Sequence, residues 1–322
     1  MPAFRLKKAE EIREKTTESM LKQIRSMYQQ LYRDIARRVT QGGNSTTNQN
    51  LILLQREIIN RIRQINSDLE NNVRSNMETV CMAVTEDLKT YLRKMGFAEE
   101  DITDAYMYVP QQVIESIVTG QIYQEGWSLS QAIWGYNNRT QQTLQNIIAS
   151  GSGQGKSAYE IAKDLESYVD PSEAKKANTI KSWRYATEAD VRAGRATSIG
   201  QRITDYFYPG RVDYNALRLA RTMVSHAYQQ AFERVNRNDP FVTGYRWITS
   251  NFHGRVCSIC RGREGRIFPK DELPMDHPNG MCTFEAVMDL SMNQIADRIA
   301  AWYSAPYGTF PDIDRFALDF VG

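Results

Sequence analysis

One apolar stripe constrains this chain more than any other feature. Ile58, Ile62, Ile65, Leu69, Val73, Met77, Val80, Val84, Leu88, Leu92 and Met95 follow one another at steps of three or four residues. The mean step is about 3.7, whereas a left-handed coiled coil repeats every ~3.5 residues and a plain α-helix every ~3.6. The stripe therefore predicts one long helix that buries a face inside a bundle, not a dimeric rod. Gly96 stands where a left-handed residue would end it. Cys81 lies beside the stripe, where a lone cysteine reads as a small core hydrophobe.

Other segments repeat the helical theme. Between Phe4 and Val39, Ile24, Met27, Leu31 and Ile35 recur at helical spacing, amid ten Lys or Arg and five Asp or Glu. This is a solvated helical face, or a basic arm that touches DNA or a partner. Thr40 to Asn50 is polar, carries two glycines and reads as a linker. Ser128 to Gln131 and Ser157 to Glu160 match the capping-box pattern and predict helices near 129–148 and 158–168. Asp170-Pro171 ends the second. A further helical stretch is expected near 172–206; counted through Thr222 it holds ten basic and five acidic residues. Tyr208-Pro-Gly210 reads as a turn. A helix near 213–236 follows, with a stripe of Leu217, Ala220, Val224, Ala227 and Ala231. Val242 to Ser250 reads as a strand, Val287 to Tyr303 as a helix, and Trp302 to Gly322 as an extended aromatic tail.

The fold expected is mainly α: a long helical N-terminal body with a small α/β zinc-knuckle module near the C-terminus. Its parts would be a basic amphipathic helical arm and linker (1–48), a helical body (49–240), the knuckle module (241–300) and the tail (301–322). With 322 residues and 41% hydrophobic residues, the chain can bury a sizeable core. A formal net charge of +2 gives no global field toward nucleic acid, so any DNA contact must be local. Met1 to Glu14 has no apolar signal core, and no apolar run approaches a membrane span, so a soluble protein made in the cytosol is expected.

The chemistry concentrates at Cys257-Ser-Ile-Cys260, followed after sixteen residues by His277 and after four more by Cys282. Three of four cysteines and one of three histidines fall in this window. Zinc takes four such donors in a tetrahedron, two from each of two turns. The alternatives are reduced thiols packing a hairpin, and disulfide pairing. Four protein donors would leave no open position, so the ion would be structural. Spacing does not separate zinc from iron.

These residues resemble a known family. Arg218-Leu-Ala-Arg-Thr222, Trp247, Cys257-x-x-Cys260, Gly265-Arg-Ile-Phe268 and His277-Pro-Asn279 leading to Cys282 resemble the phage Mu F-like minor head, or head morphogenesis, proteins. Ile148, Gly151, Gly155, Ser157 and Glu160-Ile-Ala162 resemble the stretch that precedes the module in that family. The resemblance covers about residues 145–288. It departs from the family pattern where Gly280 and Met281 replace a cysteine and an arginine. It implies a low-copy virion protein in the phage head or at the portal vertex, acting in head assembly and in DNA packaging and ejection; no enzymatic activity is expected, since no paired carboxylates, open metal site or nucleophile–base pair can be assembled from the residues. Implied partners are the portal protein, the major capsid or scaffold protein, and genomic DNA bound without sequence preference. Lys175, Lys176, Lys181, Arg184, Arg192 and Arg195 are the candidate DNA or partner contacts, within basic segments near 5–38 and 175–221.

The competing expectation is a zinc-containing DNA-binding protein or nuclease. A nuclease would need a second histidine, and His226 and His253 lack the spacing. The helix after Cys282 offers only Arg298 as a base, which disfavours direct readout. Gly151 to Ser157 imitates a phosphate loop but has serine at position 150 and a helix before it. Trp247 and Phe268 are the expected core of the module.

Overall fold

The computed structural model describes residues 2–321 apart from 42–47, 124, 125, 127, 158–159, 162–163, 166–179, 186–190, 192–196, 199–201, 208–211, 251–255 and 279. The protein is mainly helical with small antiparallel sheets. Two long helices lead, α1 (Lys7–Gln41) and α2 (Asn48–Met95). Then come α3 (Glu99–Ile102), α4 (Val109–Val118), α5 (Leu129–Gly153) and α6 (Val212–Asn236). Last are α7 (Ser258–Arg263), α8 (Met292–Ser304) and α9 (Pro311–Val321). No described helix is long and apolar enough to cross a membrane.

The stripe on α2 behaves as its spacing demands. All eleven residues are at most 6% exposed. Burying each such side chain is worth roughly 1.5–3 kcal/mol, so packing rather than intrinsic propensity holds this helix. Gly96 closes it at φ +101°, a conformation that glycine adopts at little cost. Its N–H donates to the Arg93 carbonyl at 3.1 Å, and the Phe97 N–H reaches back to the Leu92 carbonyl at 3.2 Å, satisfying two orphan acceptors. Cys81 is fully buried, and burial pushes its thiol up to about 12, the core role expected.

Contacts divide the chain into two units. The first comprises Met1–Leu21, Asn71–Leu129 and Arg218–Gly322; the second comprises Lys22–Glu70 and Ser130–Leu217. The first unit contains a four-stranded antiparallel sheet of order β1 (Ala3–Phe4), β6 (Thr283–Met288), β4 (Val242–Ile248), β5 (Ile267–Phe268). The start of the chain is thus an edge strand of the C-terminal sheet, with Phe4 opposite Ala286, and is not part of a separate arm. Aromatic rings tie α6 to this sheet. Phe232 meets Tyr245 edge-on at 5.3 Å and Phe284 at 5.7 Å. Trp247 is fully buried as expected, whereas Phe268 sits at the rim, half-buried.

In the second unit, Tyr28 on α1 donates to Asn137 on α5 at 2.7 Å, and Asn137 also bonds Asn66 on α2. A two-stranded antiparallel ladder pairs β2 (Ile180–Tyr185) with β3 (Arg202–Phe207). This corrects the helix expected near 172–206. Ile180, Trp183, Tyr185, Ile203, Thr204, Tyr206 and Phe207 are the β-branched and aromatic types that favour pleated surfaces. Charge counting had obscured them.

Three further corrections follow. Thr40 and Gln41 finish α1 and Asn48–Asn50 begin α2, so both ends of the expected linker are helical, and 42–47 lies outside the described residues. Thr283–Met288 is a strand, and the helix after it begins at Met292, where Ser291 and Gln294 form a capping box. The tail is not extended: α8 runs to Ser304 and Pro311–Val321 is helical. Proline opens α9, with Asp312 and Asp314 in its first turn, an arrangement that suits a helix start. The Tyr208-Pro-Gly210 turn lies outside the described residues. The second expected capping box is present, with Glu160 accepting from the Ser157 N–H at 2.8 Å.

Candidate metal centre

The first pair of donors is set by a helix start. Cys257 is the N-cap of α7, in extended conformation at φ −70° and ψ 163°. Its sulfur accepts the Cys260 N–H at 3.3 Å, as a capping oxygen would. The Cys-x-x-Cys spacing is therefore one capped helical turn, which aims both sulfurs the same way. The second pair comes from the loop that leads into β6. There the Gly280 N–H donates to the His277 carbonyl at 2.8 Å and folds the chain back, so that His277 and Cys282 approach α7.

The donors gather around Cys260. His277 Nε2 lies 3.1 Å from Cys257 Sγ and 3.1 Å from Cys260 Sγ. Cys260 and Cys282 sulfurs are 3.3 Å apart, and all four cysteines are free. Two donor groups, Cys257–Cys260–His277 and Cys260–Asp276–Cys282, share Cys260, and within each all ligand atoms lie within 4.8 Å of one another. Metal–sulfur bonds of ~2.3 Å and metal–nitrogen bonds of ~2.0 Å in a tetrahedron imply donor separations of roughly 3.5–3.8 Å. The three short separations fall a few tenths of an ångström below this range, whereas Cys282 does not lie within 4.8 Å of both Cys257 and His277, so a single ion held by all four donors requires Cys282 to close in.

The surroundings suit thiolate donors. The Nδ1–H of His277 donates to the Pro278 carbonyl at 3.0 Å, which leaves the Nε2 lone pair toward the sulfurs. The Cys257 thiol is lowered, chiefly by the backbone N–H of Cys260. Cys260 and Cys282 are both raised, chiefly by burial; neighbouring thiols add to this at Cys260 and Asp276 at Cys282. A cation between the sulfurs would reverse that penalty. The buried Trp247 indole N–H has no oxygen or nitrogen acceptor and lies beside Cys282, whose sulfur it favours as thiolate.

Asp276 is the member that sequence spacing does not reveal. It is 3% exposed. One carboxylate oxygen accepts the His277 N–H at 2.9 Å, the other the Cys282 N–H at 3.0 Å. It thereby holds the two flanking ligands by their backbones. A Cβ at Gly280 would fall 2.2 Å from this carboxylate, so only glycine fits there. The signal in the sequence was Gly280 itself, four residues after Asp276.

Further contacts fix the loop from outside. Gln229 accepts the Asp276 N–H at 2.9 Å and donates to the Pro274 carbonyl at 3.1 Å. His226 is buried, with Nε2 3.0 Å from the Asp276 carbonyl and Nδ1 3.0 Å from the Tyr123 hydroxyl. Arg13, fully buried, donates to the Cys282 carbonyl at 2.8 Å and to the Met281 carbonyl at 2.9 Å. Its guanidinium lies over the Tyr228 ring, 4.3 Å from the centroid.

The expected DNA or partner contacts are not brought into this site. Lys175, Lys176, Arg192 and Arg195 lie outside the described residues, as does His253, and Lys181 and Arg184 stand on β2, whose side chains are likewise outside them. Fold and site together define a mainly helical protein with a Cys/His cluster that could hold a metal ion. Searches of family models, of curated proteins and of solved structures found no match.

Proposed function

We propose that this chain is a bacteriophage minor head protein, a low-copy virion component at the portal, and that Cys257, Cys260, His277 and Cys282 hold one structural zinc ion. The supporting observation is that Cys257, His277 and Cys282, which belong to the stretch that resembles head morphogenesis proteins, each bring a donor atom to within 3.3 Å of another donor in a cluster built on Cys260. Zinc would supply charge neutralisation and cross-linking there. It would join the α7 turn to the 277–282 turn, which have little apolar surface of their own. A complete donor set leaves no place for substrate, and both ring nitrogens of His226 are engaged, so the role is architectural rather than catalytic.

In this reading the knuckle is a rigid docking element, and the helical remainder supplies reach and partner surface toward portal, capsid or scaffold. Lys175, Lys176, Lys181, Arg184, Arg192 and Arg195 would meet DNA or an acidic partner face through salt-sensitive contacts. Two measurements test the proposal. Elemental analysis of purified protein should give one zinc per chain, lost in Cys257→Ser and His277→Ala; full zinc in either variant removes the site. Quantitative mass spectrometry of purified phage particles should find a few copies per filled head, and complete absence from particles at every assembly stage removes the head role.

A further inference from the structure

A second site lies on the first unit, where the start of α4, the end of α6 and α9 border a groove of about 360 Å³. Its described lining carries positive charge with no carboxylate beside it in the groove. Arg234 stands in the last turn of α6 and Arg237 just beyond its end, and both line the groove. Among the described residues no carboxylate lines it, and neither arginine makes an ion pair. Arg234 bonds only a neutral amide, the Gln112 oxygen at 2.9 Å. Burial first, and Arg237 second, make its charged form less favourable than usual. Glu233, next in the chain, is bonded to Gln229, and Arg237 acts on it through space without an ion pair. The negative end of α6 offsets part of this charge, but two adjacent cations in a recess still favour an anion.

The walls specify more than an anion. Met107, Tyr108 and Leu318 are 56%, 49% and 62% exposed, and all three line this groove. They account for three of the nine exposed large hydrophobic residues found among those described, so the clustering is not a scatter of surface apolar groups. The loop that presents two of them is held at a cost. Tyr106 has φ +60°, the only positive value at a non-glycine among the described residues, and non-glycine residues pay about 1–2 kcal/mol for that region. The bend buries Tyr106 and turns Met107 and Tyr108 outward. Gln112, Gln230 and Asn238 add amides that can pair with a peptide main chain. No side chain caps the N-terminus of α4, whose first turn opens here.

We propose that this groove binds an acidic peptide segment of a partner protein, with a carboxylate between Arg234 and Arg237 and an adjacent aliphatic or aromatic side chain against Met107, Tyr108 and Leu318. The chemistry favours peptide over nucleic acid: there are only two cations, the walls are apolar, and the amides suit a main chain. Methionine and tyrosine together give an adaptable surface of the kind that accepts short apolar anchors.

The test is selection of a random-peptide display library on the purified full-length protein, followed by binding measurements with the enriched peptide made synthetically. The expected consensus is Asp or Glu beside Leu, Phe, Ile or Trp. Replacing its acid by the amide should weaken binding at least tenfold, as should Arg234→Gln with Arg237→Gln at unchanged melting temperature and metal content. Leu318→Ser, on an exposed position, provides an independent variant that should also weaken binding, should the double variant misfold. A consensus without acids, or an affinity indifferent to both variants, overturns the proposal. So does a labelled single-stranded oligonucleotide whose binding depends on Arg234 and Arg237 when no peptide's does.

Discussion

Single side chains carry a large share of this structure, and Asp276 shows how. Its two oxygens are spent on the N–H groups of His277 and Cys282, so it orients both ligands while leaving their sulfur and nitrogen atoms clear. Gln229 then fixes Asp276 by its own N–H, and the same amide holds Glu233 at 2.8 Å. Glu233 is a useful probe of this chain of contacts. Burial pushes its carboxyl up to about 7 from an ordinary value of 4.5. A carboxyl raised on folding stabilises the fold fully below 4.5, and that contribution is lost as pH rises through about 7. Glu233→Gln keeps an oxygen for the Gln229 amide but cannot ionise. The variant should melt close to the parent at pH 4.5 and above it at pH 8, and parallel melting curves across that range would show that Glu233 is not buried as described.

At the scale of elements, legibility followed how each segment is buried. The α2 stripe was readable because one face is buried and one is wet, which writes a period into the sequence. β6 was not readable, because it lies between β1 and β4 and five of its six residues are buried, so alternation disappears and its start merges with the helix that follows. β1 was invisible for another reason: two residues make no pattern, and their partners lie more than 280 positions away. The knuckle pairs were legible from spacing alone, whereas Asp276 acts through backbone groups and has no ligand spacing to detect. Contacts at the chain start also give α1 an unforeseen role. Arg13 supplies both donors that satisfy the carbonyls of Met281 and Cys282. Arg13→Met should cost about 2–3 kcal/mol in chemical denaturation by leaving buried acceptors unpaired, and Arg13→Lys should recover part of it. An unchanged midpoint for Arg13→Met would mean that water replaces the guanidinium.

For the molecule as a whole, the two units predict two responses to metal removal. All four donors belong to the first unit, whereas α5 beyond Leu129 and the β2–β3 ladder belong to the second. With a chelator present, amide hydrogen exchange should accelerate across 256–288 and across 3–17, where β1 and Arg13 meet β6 and its approach. Exchange across 130–153 should stay as it was. Equal acceleration everywhere would show that the chain unfolds as one block.

The pairing of Phe4 with Ala286 also sets a timetable. A ribosome delivers the first strand of the sheet long before its neighbour. Throughout that interval Leu6, Ala9 and Arg13, which end up fully buried, have no finished sheet to cover them. These residues are thus made well before the strand that covers them. Closing so long a loop is slow relative to local helix formation, so this segment waits uncovered until β6 has been made.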